Sequence, residues 1–310
     1  MDQPHFLIIG AARSGTTALY ESLCQHPGIF MTEPKEPHYF AFAGETPAFR
    51  GPGDDQMINR VAVTDPTAYR RLFDSAGQAQ VAGEGSVSYL YYPQAARRVA
   101  DECPRVRLLC LLRHPAERAF SAYLYMRSRL YEPLEDFRDA LAAEEQRIAE
   151  GWHHIWHYRR MGYYHQQLQP WFEHFSPDQL RVHLFDDLRE DADGLLRDCF
   201  DFLGVDPDFV PENRPSSVVS GVPRSRALGK ILTRDLAIKR LVRPLVPPVL
   251  RHQLWRRLAR ANMNKPRLDE AVRAELTEGY REDILRLQDL IGRDLSSWLA
   301  ERAAPRPTGA

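Results

Sequence analysis

The sequence predicts an α/β fold with three layers, in which helices cover both faces of a central, mostly parallel sheet of about five strands. Three observations predict it. Short apolar runs alternate with helical stretches, which favours parallel strands joined by right-handed crossovers. Residues 106–113 form a near-continuous apolar run, as expected of a central strand covered on both faces. The composition of 44% hydrophobic and 27% charged residues is ordinary for a globular protein of 310 residues.

The first strand runs into a helix through a turn that contains two glycines. That helix is predicted over residues 14–27, because its apolar positions recur at helical spacing and Pro27 stops it. Another helix begins at Pro115, a residue that suits a first helical turn. Residues 40–65 are predicted to be a loop. The predicted strands are residues 5–10, 28–31, 80–85, 106–113 and 180–185.

The C-terminal part of the chain is predicted to be a helical extension of the same domain. Residues 268–292 have apolar positions near one face, which is typical of an amphipathic helix. We expect a single domain over residues 1–302, with residues 224–302 as its basic, helical C-terminal part. Residues 303–310 are predicted to be a disordered tail.

The bulk properties exclude several classes of protein. A net charge of -1 gives no overall field that would attract nucleic acid, so we expect no nucleic-acid partner. The apolar runs are too short to span a bilayer, and residues 1–10 lack the pattern of a signal peptide. Four widely spaced cysteines without a C-x-x-C pair argue against a metal site and favour a reducing compartment, so we expect a cytoplasmic protein. Core positions are expected for Cys24, Cys110 and Cys199.

Residues 10–17 read Gly-Ala-Ala-Arg-Ser-Gly-Thr-Thr and have almost the spacing of a nucleotide-binding P-loop. Thr16 stands where the P-loop lysine would be, and the cation of the turn is Arg13. A glycine turn between a strand and a helix N-terminus still makes an anion site, because amide groups and the helix dipole face the ligand. The alternative is a tight turn without a ligand. The predicted amide and hydroxyl donors come from Ser14, Gly15, Thr16 and Thr17.

The missing lysine has a chemical meaning. In nucleoside triphosphatases that lysine holds the β- and γ-phosphates, and a serine or threonine holds Mg²⁺. A ligand with a single 5′-phosphate needs less charge and no metal, and Arg13 lies where it would reach the bond between that phosphate and the group it carries. The turn therefore predicts a metal-free site for one 5′-phosphate.

A second candidate site follows the fourth predicted strand. Arg113 stands at the carboxyl end of this strand, the edge where ligands bind in open α/β sheets. Its guanidinium has a fork of donors that suits a phosphate, and Ser121 adds a hydroxyl about two helical turns later. The alternative is that Arg113 is an ordinary surface arginine.

A third candidate site follows the second predicted strand. Glu36 and His38 are two residues apart, so in an extended segment they point the same way and share one cleft. A carboxylate there suits a general base. The alternative is a solvated acidic loop.

Three histidines, His153, His154 and His157, lie in the aromatic stretch of residues 152–168. We interpret this stretch mainly as core and as a lid around the cleft. A metal site is the alternative, but no cysteine or carboxylate cluster accompanies the histidines, so we predict no metal.

Taken in order, these motifs resemble those of sulfotransferases that use 3′-phosphoadenosine 5′-phosphosulfate (PAPS), which implies a P-loop-like fold. Residues 10–17 match the family's loop for the 5′-phosphosulfate, and residues 111–123 match its 3′-phosphate segment. Residues 35–40 are similar to the stretch that supplies the base glutamate and a nearby histidine in heparan-type O-sulfotransferases and their bacterial relatives. Similar stretches also occur at residues 83–93 and 185–205.

The resemblance implies transfer of the sulfuryl group of PAPS to an acceptor hydroxyl, with release of 3′-phosphoadenosine 5′-phosphate (PAP). Glu36 would deprotonate the acceptor, which attacks sulfur in line, and His38 would orient Glu36 or the acceptor. Arg13 would stabilise charge on the leaving phosphate oxygen. The cofactor would be held by the loop residues Arg13, Ser14, Gly15, Thr16 and Thr17, by Arg113 and Ser121, and by Arg224 in a late basic loop. Phe185 is expected either near the adenine or in the core.

Two departures from the family pattern are visible. Many members have lysine where this chain has Arg13, and arginine cannot donate a proton at neutral pH. Heparan-type enzymes have a lysine where this chain has Gly85, so one family contact is absent and heparan itself is not implied.

The acceptor class is open among a glycan, a lipid, a peptide tyrosine and a small-molecule natural product such as a polyketide or a phenol, as are O- or N-sulfation and the oligomeric state. Residues 224–267 hold 13 lysine or arginine residues and one acidic residue, Asp235. They are interpreted as a solvated helical face, a docking surface for an anionic acceptor, or a contact with anionic membrane. Two other functions stay open: a P-loop-type small-molecule or nucleoside kinase, and a non-catalytic nucleotide-binding homologue.

Overall fold

The computed structural model describes residues 3–212, 222–223, 263–264 and 266–300. The strands in this part of the chain are β1 (Phe6–Gly10), β2 (Ile29–Met31), β3 (Val81–Gly85), β4 (Arg107–Leu112), β5 (Leu180–Leu184), β6 (Val222–Pro223) and β7 (Met263–Asn264). The first five form one sheet in the order β2-β3-β1-β4-β5, and every pair of neighbours is parallel. The predicted parallel sheet is thereby confirmed. The short strands β6 and β7 form a separate antiparallel pair.

Helices flank the sheet and connect its strands. They are α1 (Thr16–Leu23), α2 (Tyr39–Phe42), α3 (Pro66–Arg71), α4 (Ser88–Tyr91), α5 (Gln94–Glu102), α6 (Pro115–Ser128), α7 (Phe137–Ala142), α8 (Glu144–Ala149), α9 (Tyr164–His174), α10 (Phe185–Glu190), α11 (Ala192–Leu203), α12 (Glu270–Ile291) and α13 (Ser296–Leu299). Within the described residues, no helix combines the length and the apolar character that crossing a lipid bilayer requires.

Both faces of the sheet are buried, which explains why its central strands are apolar throughout. In β4, Leu108 and Cys110 pack into one apolar cluster, whereas Leu109 and Leu111 pack into another on the opposite face. Successive side chains separate in this way because a strand has a period of two residues. Helices α4, α5, α6, α9 and α12 contribute to the first cluster, and α1 and α11 contribute to the second. The layers are therefore helix, sheet and helix, as predicted.

The strand order places a crevice at the carboxyl end of β1. From β1 the chain goes to β2 and β3 on one side, and then to β4 and β5 on the other. In open α/β sheets, ligands bind beyond the carboxyl ends of the strands at such a switch point. The segments that leave this edge are residues 11–15 after β1, 32–38 after β2, 86–87 after β3 and 113–114 after β4. They include each of the three motifs predicted to carry chemistry.

Outside the candidate site, the structure differs from the sequence prediction at two places. Residues 40–65 were predicted to be a loop, but α2 begins just before them and Asp55–Asn59 form a wide helical turn. All four residues of α2 are buried, three of them aromatic, so tertiary packing stabilises a helix that propensity alone does not predict. Cys24 was predicted to lie in the core but is exposed just after α1, whereas Cys110 and Cys199 are buried as predicted.

Several predictions fall on residues that the structure does not describe. They are Arg224, the basic segment up to residue 262 together with residue 265, and the tail of residues 303–310. The boundaries of a single domain over residues 1–302 and the cytoplasmic location also stay predictions.

A buried ion pair holds the region between α6 and α9. The two guanidinium nitrogens Nη1 and Nη2 of Arg147 donate to the two carboxylate oxygens of Glu132 at 2.8 and 2.9 Å. Tyr158 Oη–H also donates to Glu132 at 2.8 Å, and the guanidinium lies over the rings of Trp152 and Trp156 at 5.1 Å. Both charged side chains are almost fully buried, so each charge has to be compensated by the other.

We expect Glu132→Ala to lower the free energy of unfolding by about 3–5 kcal/mol, because it leaves the Arg147 charge buried and uncompensated. Urea denaturation measures this change. The matched control is Asp55→Ala, which removes the partner of exposed Arg60 in a 2.7 Å surface pair. That variant should cost less than about 1 kcal/mol. A Glu132→Ala variant as stable as the control would contradict the assigned role of the pair.

Candidate functional site

The turn after β1 has the geometry of a loop that can bind an anion, and it is called the anion loop below. Gly15 caps α1 in the left-handed conformation, with φ 98°. A Cβ atom there would lie 2.7 Å from Leu188 Cδ2, so only glycine fits both the conformation and the packing. The first backbone bond that runs into α1 goes from Leu19 N–H to the Gly15 carbonyl at 3.1 Å. The amide groups of residues 15–18 therefore belong to the open start of the helix, where an anion is stabilised.

The Ser14 amide, predicted as an outward donor, instead donates to the Ala11 carbonyl at 3.3 Å. The Ser14 side chain is buried in the turn. Thr16 is also buried and Thr17 is half-buried, and both belong to the first turn of α1. The structure thus gathers the predicted loop residues in one turn, with the donors shifted toward the helix start.

Arg13 lies inside the loop and is mostly buried. Its guanidinium carbon is 4.6 Å from the centre of the Tyr125 ring, a cation–π contact that orients the side chain. Burial lowers the pKa of Arg13 to about 10; Tyr125 opposes this shift and the nearby Arg113 charge adds to it. At neutral pH the group is still a cation, and it faces the carboxyl edge of the sheet with little water to screen it.

Arg113 and the anion loop contact each other directly. Arg113 Nη1 lies 3.5 Å from the carbonyl oxygen of Arg13, and its Nη2 lies 3.4 Å from a carboxylate oxygen of Glu117. Its guanidinium stacks over the Phe185 ring at 4.7 Å. Ser121 follows Glu117 by four residues on α6, so the two side chains share a helix face. Phe185, expected near adenine or in the core, is half-buried beneath Arg113.

Glu36 and His38 are brought together, but not by an extended segment. Both have left-handed backbone angles, with φ 64° and 58°, and His38 precedes α2. Glu36 Oε2 and His38 Nε2 are 3.9 Å apart. His38 Nδ1 lies 2.8 Å from the hydroxyl of Ser88, and the His38 amide donates to Ser86 Oγ at 3.0 Å. Burial lowers the pKa of His38, which leaves a neutral imidazole beside the Glu36 carboxylate.

Glu84 is a buried carboxyl that sequence reasoning did not single out as functional. It lies near the carboxyl end of β3 and accepts hydrogen bonds from Tyr89 at 2.5 Å, Ser86 at 2.9 Å and Tyr69 at 3.3 Å. Burial raises its pKa to about 7, and these donors oppose the shift. Ser86 also accepts a hydrogen bond from the His38 amide, so Glu84 holds in place the turn that carries Glu36, the candidate base. The signal in the sequence was a glutamate between two glycines in a buried strand.

Lys35 is a second site residue that sequence reasoning missed. Its Nζ donates to Thr17 Oγ1 at 2.9 Å and to Glu36 Oε1 at 3.1 Å, and lies 5.7 Å from the centre of the Tyr20 ring. It thus connects the anion loop to the candidate base. The available signal was its position next to Glu36 in a chain that has only four lysines.

Two of the three histidines of the aromatic stretch have polar partners, and the third, His154, stacks on the Tyr91 ring at 5.8 Å. His153 lies 3.4 Å from buried Asp54, and His157 Nε2 donates to the Trp152 carbonyl at 3.0 Å. The other nitrogen of His157 accepts from Tyr91 Oη–H at 2.6 Å, and burial lowers its pKa to about 4. Among residues 3–212 and 266–300, no group of three or more His, Cys, Asp or Glu side chains lies so as to hold a metal ion.

The comparisons with known proteins concern the family and the fold. The family model described as "Sulfotransferase family" matches residues 4–209. A crystal structure of a sulfotransferase from Alicyclobacillus acidocaldarius is similar over 97% of this chain and 100% of that chain, with a TM-score of 0.76 and 34% identity. This similarity confirms the predicted P-loop-like fold.

Curated relatives include a mouse bifunctional heparan sulfate N-deacetylase/N-sulfotransferase 4, which is 26% identical over 66% of this chain and 23% of the relative. Mouse heparan sulfate glucosamine 3-O-sulfotransferase 3A1 is 28% identical over 65% of this chain and 46% of the relative. The chain thus spans less than half the length of these two relatives. The matched region contains the anion loop, the candidate base and the Arg113 segment, and the chain belongs to the sulfotransferase family.

Proposed function

We propose that the protein transfers the sulfuryl group of PAPS to an acceptor hydroxyl. The observation that carries the proposal is the contact of the Arg113 guanidinium with the backbone of the anion loop that holds Arg13, beside the Glu36 carboxylate. Burial lowers the pKa of Arg13, and Glu36 is close enough for its carboxylate charge to oppose this shift. A donor with one phosphate at 5′ and another at 3′ matches two such points, and the loop's missing lysine matches a donor with no metal–triphosphate group.

The proposed reaction is a single in-line displacement. The acceptor oxygen loses its proton to Glu36 and forms a bond to sulfur. The bond between sulfur and the bridging oxygen of the 5′-phosphate breaks, and its electron pair stays on that oxygen. The products are a sulfated acceptor, PAP and a protonated Glu36, which returns its proton to water. Arg13 stabilises the charge that grows on the leaving oxygen, and the buried site strengthens this interaction.

In this proposal, His38 is a positioning residue. It is neutral, and Ser88 and Ser86 hold its ring and its amide, so it fixes the direction of the Glu36 carboxylate. Arg113 and Ser121 hold the 3′-phosphate, and the guanidinium exchanges its contact with Glu117 for that of the phosphate. The acceptor we propose is a glycan, a lipid or a small molecule; the heparan sulfate relatives support a glycan.

Calorimetric titration with PAP and transfer of labelled sulfate from PAPS to an acceptor panel test this function. We expect PAP binding without Mg²⁺ and label transfer to a hydroxyl compound. A protein that instead binds ATP only with Mg²⁺, and ignores a 3′-phosphate, would be a kinase. PAP binding without transfer to any acceptor would favour the non-catalytic homologue.

We expect Arg113→Ala to weaken PAP binding by about 10- to 100-fold, because a charge-assisted hydrogen bond to phosphate is lost. Binding of adenosine 5′-phosphate, which has no 3′-phosphate, should change less than about threefold. The matched control is Arg181→Ala on β5, another arginine that lies over a phenylalanine ring, Phe202 at 5.0 Å, and pairs with a carboxylate, Asp198 at 3.5 Å. Calorimetry measures the affinity of each variant for PAP and for adenosine 5′-phosphate. An equal loss for both nucleotides would refute the assignment of Arg113 to the 3′-phosphate.

A further inference from the structure

We infer that Lys35 is a further catalytic residue, whose ammonium group binds the sulfuryl oxygens of the donor between the anion loop and Glu36. The inference rests on the proposed function and adds a residue that the resemblance does not assign.

The contacts of Lys35 place it at the point where donor and base meet. Its Nζ donates to Thr17 Oγ1 in the first turn of α1 at 2.9 Å. It also donates to Glu36 Oε1 at 3.1 Å. An ammonium group has three donors, and the described residues account for two of them, so one is available to a ligand oxygen. The side chain is only 21% exposed, so the interaction is weakly screened by solvent.

The position suits a chain that lacks a lysine of the related enzymes, since Gly85 occupies the position of a family lysine after β3. A Cβ atom on Gly85 would lie 3.3 Å from Ile8 Cβ, which leaves little room for a longer side chain. Lys35 reaches the start of α1 from another segment, after β2, and brings an ammonium group to the same edge of the sheet.

A cation at this point reduces the electrostatic repulsion between the base and the sulfuryl group. The acceptor oxygen has to lie between Glu36 and the sulfur atom, yet the carboxylate and the sulfuryl group are both negative and repel each other. An ammonium that contacts both reduces this repulsion. A lysine suits the role because its compact charge bridges two oxygens without the planar demands of a guanidinium. Of 41 basic residues, four are lysines, at positions 35, 230, 239 and 265, so the remaining cations are arginine.

The test compares PAPS with PAP, which lacks only the sulfuryl group. We expect Lys35→Met to weaken PAPS binding by about tenfold or more and to leave PAP binding within about threefold, because the lost contact is to the sulfuryl oxygens. Single-turnover transfer at saturating PAPS should fall by about 10²-fold, because the contact is stronger in the transition state, where charge develops, than in the bound donor. Calorimetry without acceptor gives the affinities, and rapid quench with labelled PAPS gives the rate. Lys35→Arg keeps the charge and should stay within about tenfold of the wild type in the rate of transfer.

Arg60→Met is the matched control, since it removes an exposed cation that also pairs with a carboxylate. It should change neither the two nucleotide affinities nor the rate of transfer. Equal weakening of PAP and PAPS in Lys35→Met, or unchanged PAPS affinity and rate, would overturn the inference. If circular dichroism shows that the methionine variant is misfolded, Lys35→Gln takes its place with the same expected results. A wild type that binds neither nucleotide would instead refute the proposed function, so the two failures are distinguishable.

Discussion

Glu36→Gln should lower kcat by about 10²-fold or more while PAP affinity stays within a few-fold. The amide keeps the size and the polar contacts of the carboxylate but cannot accept the acceptor proton. His38, 3.9 Å from Glu36, should not replace it as the base in the variant, because burial lowers the pKa of His38 and so disfavours its uptake of a proton. Initial-rate measurements with labelled PAPS and a fixed acceptor give kcat, and calorimetry with PAP gives the affinity.

The matched control for this prediction is Glu33→Gln, which removes an exposed carboxylate from the same loop. It should leave kcat within about twofold, since solvent and salt screen the charge of an exposed side chain. Wild-type turnover in Glu36→Gln would remove Glu36 from the mechanism. A parallel loss of PAP affinity would mean that the residue supports the loop and does not act as the base.

Arg13→Ala should lower kcat by about 10²- to 10³-fold, the size seen when a single group that stabilises a developing oxyanion is removed. Arg13 is mostly buried, and its pKa of about 10 keeps it charged through the neutral range. Arg13→Lys restores the charge and should recover about tenfold or more of the loss, because charge and not proton donation carries the effect. Single-turnover transfer measures the chemical step directly.

Arg129→Ala is the control for Arg13. The guanidinium of Arg129 lies over the same Tyr125 ring, 5.1 Å from its centre, but the Arg129 side chain is exposed. Its loss should change the single-turnover rate by no more than about threefold. Equal losses for Arg13→Ala and Arg129→Ala would indicate that the arginines act through Tyr125 and not through the leaving phosphate.

The sheet could be predicted from the sequence because its strands are buried on both faces and are therefore apolar along their whole length. Residues 106–113, predicted as a central strand, contain β4, which lies between β1 and β5. The anion loop could be placed for a related reason, since a glycine turn between a strand and a helix is a local pattern. Helix α2 was missed because its four residues are stabilised by burial and not by helix propensity.

The site itself was only partly predictable. Arg13, Glu36 and Arg113 each follow a predicted strand, so their place at one edge followed from the parallel sheet. Lys35 and Glu84 could not be recognised as site residues from the sequence, because their roles depend on partners that are distant in sequence. Thr17 is 18 residues from Lys35, and Tyr69 is 15 residues from Glu84. Such contacts arise from packing of the connecting loops, and no local spacing rule encodes them.

The backbone of the site has a consequence for engineering the protein. Arg13, Glu36 and His38 all adopt left-handed angles although none is glycine, and each such residue costs about 1–2 kcal/mol of stability. Glycine at any of the three positions would relax the backbone and remove a side chain to which we assign a role in sulfuryl transfer. Selection for thermostability alone would therefore enrich glycine at these three positions, and variants that tolerate heat better would be the ones that had lost the chemistry. A stability screen of this protein needs an activity filter at every round.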